Sequence, residues 1–347
     1  QGPQDPSIKD LTGEQDFKAL KKLIAYNNQL RELDLSGNPE LTDLSCGYNR
    51  LTNINISKNP LLYKIECSSN FLTKIDFSNN PALYEANCWE NNLTSLDFSN
   101  NPNFNYLSAA NNKLTNINVT KCPSLGYVNC GNNLLETIDL SNNKYINYLF
   151  IGGNRFKKLD ISNVTSVTQF SCDDNQLTTI DVSRNKFLSH FTCNQNQITS
   201  LDLTNNPDLW TLNCSENKLT TINLSKNKKL GALNCHSNNL VSVNIKNGNN
   251  VAGFTQFLGY DSYINFKNNP DLTCIQVDDI TFFNTKLATS KDATATYNTN
   301  CGSTLVLPAD NFTVETKGES CQGENNGEIN VVAKGSYTYE AVLNGKT

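Results

Sequence analysis

From Leu51 to Phe71 the chain reads L-T-N-I-N-I-S-K-N-P-L-L-Y-K-I-E-C-S-S-N-F, and at Leu72 the phrase begins again, a unit of 21 residues. Its markers keep step over a long stretch. One asparagine returns at Asn49, Asn70, Asn91, Asn112, Asn133, Asn154, Asn175, Asn196, Asn217 and Asn238. Three residues before it stands a cysteine, at Cys46, Cys67, Cys88, Cys130, Cys172, Cys193, Cys214 and Cys235, with Ala109 and Ile151 in the two gaps. Self-similarity at a fixed short period predicts a solenoid, in which each turn buries its apolar side only against its neighbours.

Each unit is itself two similar halves. One reads L-x-x-L-x-C-x-x-N-x-L, as in Leu41, Leu44, Cys46, Asn49 and Leu51; the other reads L-T-x-I-x-I-S-x-N-P-x-L, as in Leu51, Ile54, Ile56, Asn59 and Leu62. Alternating apolar residues predict a short strand in each half, with parallel strands of successive turns about 4.8 Å apart. This is the pattern of a leucine-rich repeat solenoid, built of parallel β ladders with little helix. The halves resemble those of the bacterial leucine-rich repeat proteins with nested half-repeats, many of them secreted or displayed on the cell surface. That resemblance implies export and a binding or adhesion role, with no particular ligand and no catalysis. The segment Asn269-Pro-Asp-Leu-Thr-Cys-Ile-Gln-Val-Asp-Asp, followed by Cys301, looks like the one that closes such arrays. Further on, Asn311-Phe-Thr-Val-Glu-Thr and Cys321-Gln-Gly-Glu-Asn-Asn-Gly resemble β-sandwich modules of long surface adhesins of gliding bacteria.

The repeat is expected to run over 33–277 without insertion or deletion. Residues 1–32 are expected to form a linker and a helical cap, because Thr12 and Gln15 spell a capping box ahead of Phe17, Leu20, Leu23 and Ile24. From Asn249 the first-half pattern fails, Gln256 and Gly259 standing where Cys and Asn belong. It resumes in second-half form at Ile264, Phe266 and Asn269, with Ile275 and Val277 as a last strand. Residues 278–308 lose the period and are assigned to a C-terminal cap. Residues 309–347 alternate like the opening strands of an all-β, immunoglobulin-like module that is cut short. With no methionine, the chain reads as a trimmed piece of a longer protein.

Bulk properties exclude several functions. The net charge is −5 and no run of lysine or arginine occurs, so a nucleic-acid partner is not expected. No apolar stretch is long enough for membrane insertion as a spanning helix. The eight ladder cysteines read as small buried hydrophobes. Of the others, Cys274 and Cys301 flank the end of the solenoid and are expected to form a disulfide, which places the chain in an extracellular setting. The pairing of Cys122 and Cys321 is left open. No metal site and no cofactor is expected, since no C-x-x-C occurs and the two histidines, His190 and His236, stand in different columns. The chain is not expected to be an enzyme.

The second half carries a column of aspartates (Asp34, Asp76, Asp97, Asp139, Asp160, Asp181, Asp202) beside a ladder of serines and threonines. Solvated carboxylates bonded to neighbouring hydroxyls explain this column better than calcium binding or ice binding does. The outward positions of the first half vary more. They gather Tyr106, Tyr127, Tyr148 and Phe150 into one aromatic patch, with Trp89 nearby and His190 further along. Ala110, Gly131 and Gly152 are expected to leave a shallow floor beside the rings. Aromatic side chains among polar ones suit a recognition surface. The expected ligand is a protein, with a polysaccharide as the alternative on the same face. Tyr63, Tyr84 and Trp210, one position earlier, are left out of the patch.

Overall fold

Three-residue strands recur once per turn because only the centre residue of each faces inward. Leu44, Ile65, Val128, Leu149, Phe170 and Phe191 are essentially buried, while the residues on either side of each are more exposed. The computed structural model describes residues 8–256, 258 and 264–301, together with the backbone of strands Phe312–Lys317 and Glu328–Ala333. Its strands form a parallel sheet of 12 members, running from Lys22–Ile24 to Ile264–Asn265. The register is the repeat itself: Leu44 pairs with Ile65, Leu107 with Val128 and Phe170 with Phe191. The chain is therefore a leucine-rich repeat solenoid.

Asparagine holds each turn. Asn133 donates from Nδ2 to the carbonyls of Ala109 (3.0 Å), Cys130 (3.0 Å) and Gly131 (3.1 Å), and its Oδ1 accepts the Leu114 N–H at 2.9 Å. Four backbone groups that the bend would orphan are thus satisfied by one buried amide. The residue just before it sits in the left-handed region in turn after turn, at Asn27, Tyr48, Ser69, Glu90, Asn111, Asn132, Asp174, Gln195, Glu216 and Ser237. In the second column, Asn143 donates to Val119 and Cys122 carbonyls. Cys122 stands in that column and imitates its neighbours, its Sγ donating to Phe98 O at 3.4 Å and Asn101 O at 3.6 Å.

The second halves mostly lack a hydrogen-bonded strand, against expectation. Among the described residues they form one pair, Ser95–Asp97 with Asn116–Asn118. They also form a sheet of four, Thr221–Asn223, Ser242–Asn244, Cys274–Gln276 and Thr296–Asn298. Asp139 Oδ1 accepts the Ser141 N–H at 2.9 Å, and Asp76, Asp160, Asp181 and Asp202 do the same two residues on. Asp97, which ends a laddered strand, accepts the Ser99 N–H at 2.9 Å in the same way, so this bond shapes the turn that follows with or without a ladder.

Both ends correct the expected boundaries. Among the described residues no amphipathic helix forms at the N-terminus. Thr12 donates its hydroxyl to Asp10, Gln15 accepts the Gly13 N–H at 3.1 Å, and only a 3-10 turn, Glu14–Asp16, results. Lys22–Ile24 is instead the first strand of the long sheet, with Leu23 opposite Leu44. Leu20, Leu23, Ala25, Asn28 and Leu30 are a complete first-half repeat in which alanine replaces cysteine. At the other end Ile264 pairs with Leu233, 31 residues back. The segment read as a second half belongs to the first-half sheet, and Asn269 there donates to the Cys235, Phe266 and Lys267 carbonyls as a first-column asparagine does. The lengthened turn contains the helix Asn250–Thr255, whose Phe254 is buried. The core then closes on the helix Ile280–Lys286, capped by Asp279, with Phe283 packed between Phe254 and Tyr297.

Residues 301–347 are a separate unit. There Phe312–Lys317 and Glu328–Ala333 pair antiparallel. The third expected strand, at 337–343, the 302–308 end of the cap and Cys321 lie outside the described residues.

Candidate functional site

The long sheet offers four outward positions per turn: the first and third residues of the strand, the next outward residue, and the left-handed residue that follows it. Cysteine and leucine between them point inward and are buried, so the interior is uniform and variation is confined to this face.

Three strands side by side, Tyr106–Ser108, Tyr127–Asn129 and Tyr148–Phe150, bring four rings together. Tyr106 and Tyr127 stack with centroids 4.3 Å apart and planes within 8°. Tyr127 then meets Tyr148 at 6.0 Å and Phe150, edge on, at 5.9 Å. Burial, with Tyr127 alongside, pushes the Tyr106 hydroxyl up to about 12. Tyr148 is the most exposed of the set at 38%.

Trp89 does not join this group. Its ring is edge on to Tyr48 with centroids 5.8 Å apart, and the Tyr48 and Tyr26 centroids are 5.1 Å apart, so a second aromatic cluster stands on the N-terminal turns. Sequence reading missed Tyr26 and Tyr48. The signal was their place in the two columns just after the strand: Tyr26 lies ahead of where the repeat was taken to begin, and Tyr48 is in its first complete first half, just before Asn49. His190 also stands apart, with Trp210 at 5.2 Å and Ser189 Oγ on its Nδ1 at 2.8 Å. Burial lowers its pKa. Tyr63 and Tyr84, at turn positions, stack at 5.0 Å.

The floor is less open than expected. A Cβ on Gly152 would lie 2.6 Å from Asp173 Oδ1, so this carboxylate covers part of it, and Glu66 covers Gly47 in the same way. Glu66 accepts the N–H groups of Gly47 and Ser68, both at 3.1 Å. Beside it, Lys22, Asp43, Lys64 and Glu85 alternate in sign, and Lys64 meets Glu85 at 2.8 Å. Trp89, Tyr106, Tyr127, Tyr148, Phe150 and His190 therefore lie on one sheet face, in three separate ring clusters.

Among the described residues no group of three or more His, Cys, Asp or Glu is placed to hold a metal ion. The nine described free thiols are buried, and burial pushes those of Cys88 and Cys214 up to about 12, so they are protonated at neutral pH. Cys274 and Cys301 are each disulfide-bonded. No described helix is long and apolar enough to cross a membrane.

No known family model matches the chain, and no curated protein matches it. Solved structures do. The functional domain of InlJ from Listeria monocytogenes, described as including a cysteine ladder, is 28% identical over 79% of this chain and 67% of that one, with a TM-score of 0.65. An internalin, InlF, of the same species is 18% identical over 83% of this chain and 89% of that one, at a TM-score of 0.62. A leucine-rich repeat protein of Leptospira interrogans is 19% identical over 82% and 85%, at 0.53. The last two likenesses concern the fold alone.

Proposed function

We propose that this chain is a non-catalytic binding protein that recognises a protein partner through the outward face of the long sheet, in a secreted or cell-surface setting. The observation that carries the reading is the four-ring patch of Tyr106, Tyr127, Tyr148 and Phe150 on three adjacent strands. Rings that brace one another lose little conformational freedom on binding and offer a large apolar area with polar tips, as interface anchors do. Trp89 with Tyr26 and Tyr48, and His190 with Trp210, extend the surface along the sheet. The likeness to InlJ supports a surface setting, as does a disulfide, which persists where the medium is oxidising. We infer that Cys274 and Cys301 bond to each other, since the other nine described cysteines are free.

The polysaccharide reading is weaker because Tyr106 and Tyr127 stack on each other, which leaves fewer ring faces side by side for the flat packing of successive sugar rings. Arrays of extracellular protein domains and of glycans, probed with the wild type and with a Tyr106→Ala, Tyr127→Ala, Tyr148→Ala variant, test both. Saturable binding to a protein, lost in the variant, is expected. Saturable glycan binding lost in the variant moves the assignment to sugars, and binding that ignores the variant removes the patch from function.

A further inference from the structure

Charge on this chain is unevenly placed. In the turns from Lys22 to Ser237 the four outward columns of the long sheet hold two lysines and seven carboxylates, a net −5, and the whole chain is also −5. Lys267, in the lengthened turn that follows, is the one further cation in these columns. The other surfaces are therefore close to balanced.

The excess is also unpaired. Among the described residues the ion pairs are Lys64–Glu85, on this face, and Lys229–Asp208, off it. Glu66, Glu90, Asp173, Asp174 and Glu216 meet no lysine or arginine. They take hydrogen bonds from neutral neighbours where they take any, as Glu90 does from Ser69 Oγ at 2.8 Å. Their positions bracket the rings. Glu90 ends the turn before that of Tyr106, and Asp173 and Asp174 end the turn after that of Tyr148 and Phe150. Three of these five, Glu90, Asp174 and Glu216, occupy the left-handed position, at φ 52°, 47° and 54°.

Carboxylates without counter-ions on both sides of an aromatic patch suit cationic side chains that lie on the rings while their charge is met at the edges. Guanidinium groups fit best, since they are planar, stack on aromatic faces and meet carboxylates in a two-pronged fashion. Resting on the function proposed above, we infer that the partner is a protein that presents an arginine-rich basic surface to this face. An anionic polysaccharide is disfavoured by the same field.

The probe is a fluorescent peptide alternating arginine and serine. The same peptide with glutamate for arginine, and a heparin fragment, are the comparisons, all titrated against the whole chain. One variant carries Glu90→Lys, Asp173→Lys and Asp174→Lys. A second makes the same charge change on other surfaces through Glu32→Lys, Glu40→Lys and Glu136→Lys. A third, Glu90→Gln with Asp174→Asn, removes charge with the least disturbance should the reversal impair folding. The arginine peptide is expected to bind saturably, and to weaken as salt rises from about 0.05 to 0.3 M. It is expected to weaken at least about tenfold in the face variant, less in the neutral one, and not in the control.

Equal weakening by face and control reversals overturns the inference, as does tighter binding of the glutamate peptide or heparin. The outcome is separable from the parent reading. If an array partner is lost with the tyrosines but ignores the charge reversal, the inference falls and the recognition face stands. If the tyrosine variant changes nothing, both fall.

Discussion

A single asparagine per turn closes the backbone accounting of the bend, and its two columns do so unequally. Asn133 satisfies four backbone groups, whereas Asn143 satisfies two carbonyls and leaves its own buried Oδ1 without a partner among the described residues. Asn133→Ala is therefore expected to destabilise by about 3 kcal/mol and Asn143→Ala by about 2 kcal/mol, measured by urea unfolding. Equal losses would contradict the difference in satisfaction. The aspartates predict a pH response. The Ser162 N–H holds the Asp160 carboxylate below its usual 3.8, and the Ser183 N–H does the same for Asp181. A pKa depressed by folding contributes stability that is present above 3.8 and is lost as pH falls through the lowered folded value. Asp160→Asn with Asp181→Asn should flatten the decline of the urea midpoint below about pH 4, with the size kept small by exposure to solvent. These residue roles were legible beforehand, because a column that repeats at every turn faces the same backbone every time. The aromatic partners were not. Spacing assigns Trp89 to a column, but only ring orientation decides that it leans toward Tyr48, 5.8 Å away, and leaves the tyrosine patch alone.

At the scale of elements, the middle turns follow the sequence pattern and the ends depart from it. Ala25 stands where the ladder has cysteine, and Thr12 and Gln15 spell a capping box, so a local helix signal hid a repeat that only pairing with Leu44 reveals. At the other end, similarity between the two halves concealed a change of frame. Ile264, Phe266 and Asn269 suit either half, and the 31-residue offset to Leu233 assigns them to the first. The helix Asn250–Thr255 makes the offset possible by lying close against the preceding turn. A Cβ at Gly253 would fall 2.2 Å from the Leu230 carbonyl oxygen, a backbone atom that cannot swing aside. Gly253→Ala should therefore cost about 2–3 kcal/mol as an overpacked contact and lift the helix. Hydrogen exchange should quicken in 250–256 and in the strands Ala232–Asn234 and Ile264–Asn265, with Lys64–Glu66 unaffected. Exchange that quickens evenly along the solenoid would show that the helix is no local clamp.

Across the whole molecule the stability of a solenoid is close to a sum of turns and of contacts between neighbours, so its length is adjustable in whole units. Removing residues 197–217 deletes 21 residues, takes out the strand Thr211–Asn213, and joins Asn196 to Lys218, which stands where Gln197 stood. Phe191 then faces Leu233 in an intact register. Removing 197–218 takes one residue more. An insertion is accommodated at the 31-residue step to Ile264, where part of the added chain is the helix Asn250–Thr255. A shortened turn has no spare chain: a slip of one residue turns the inward leucines of a strand to the outside. The first deletion is expected to keep the far-ultraviolet spectrum per residue and to lower the urea m-value by about a twelfth, in line with the surface lost from a sheet of 12 strands. The second is expected to broaden the transition and to expose 218–245 to fast exchange. Because Tyr106, Tyr127, Tyr148, Phe150, Glu90, Asp173 and Asp174 all precede the cut, the first deletion should also leave binding at the aromatic face unchanged. If it abolished binding with the spectrum preserved, recognition would depend on Trp210 and Glu216, which the deletion removes, or on His190 against which Trp210 packs, and the centre of the site would have to move there.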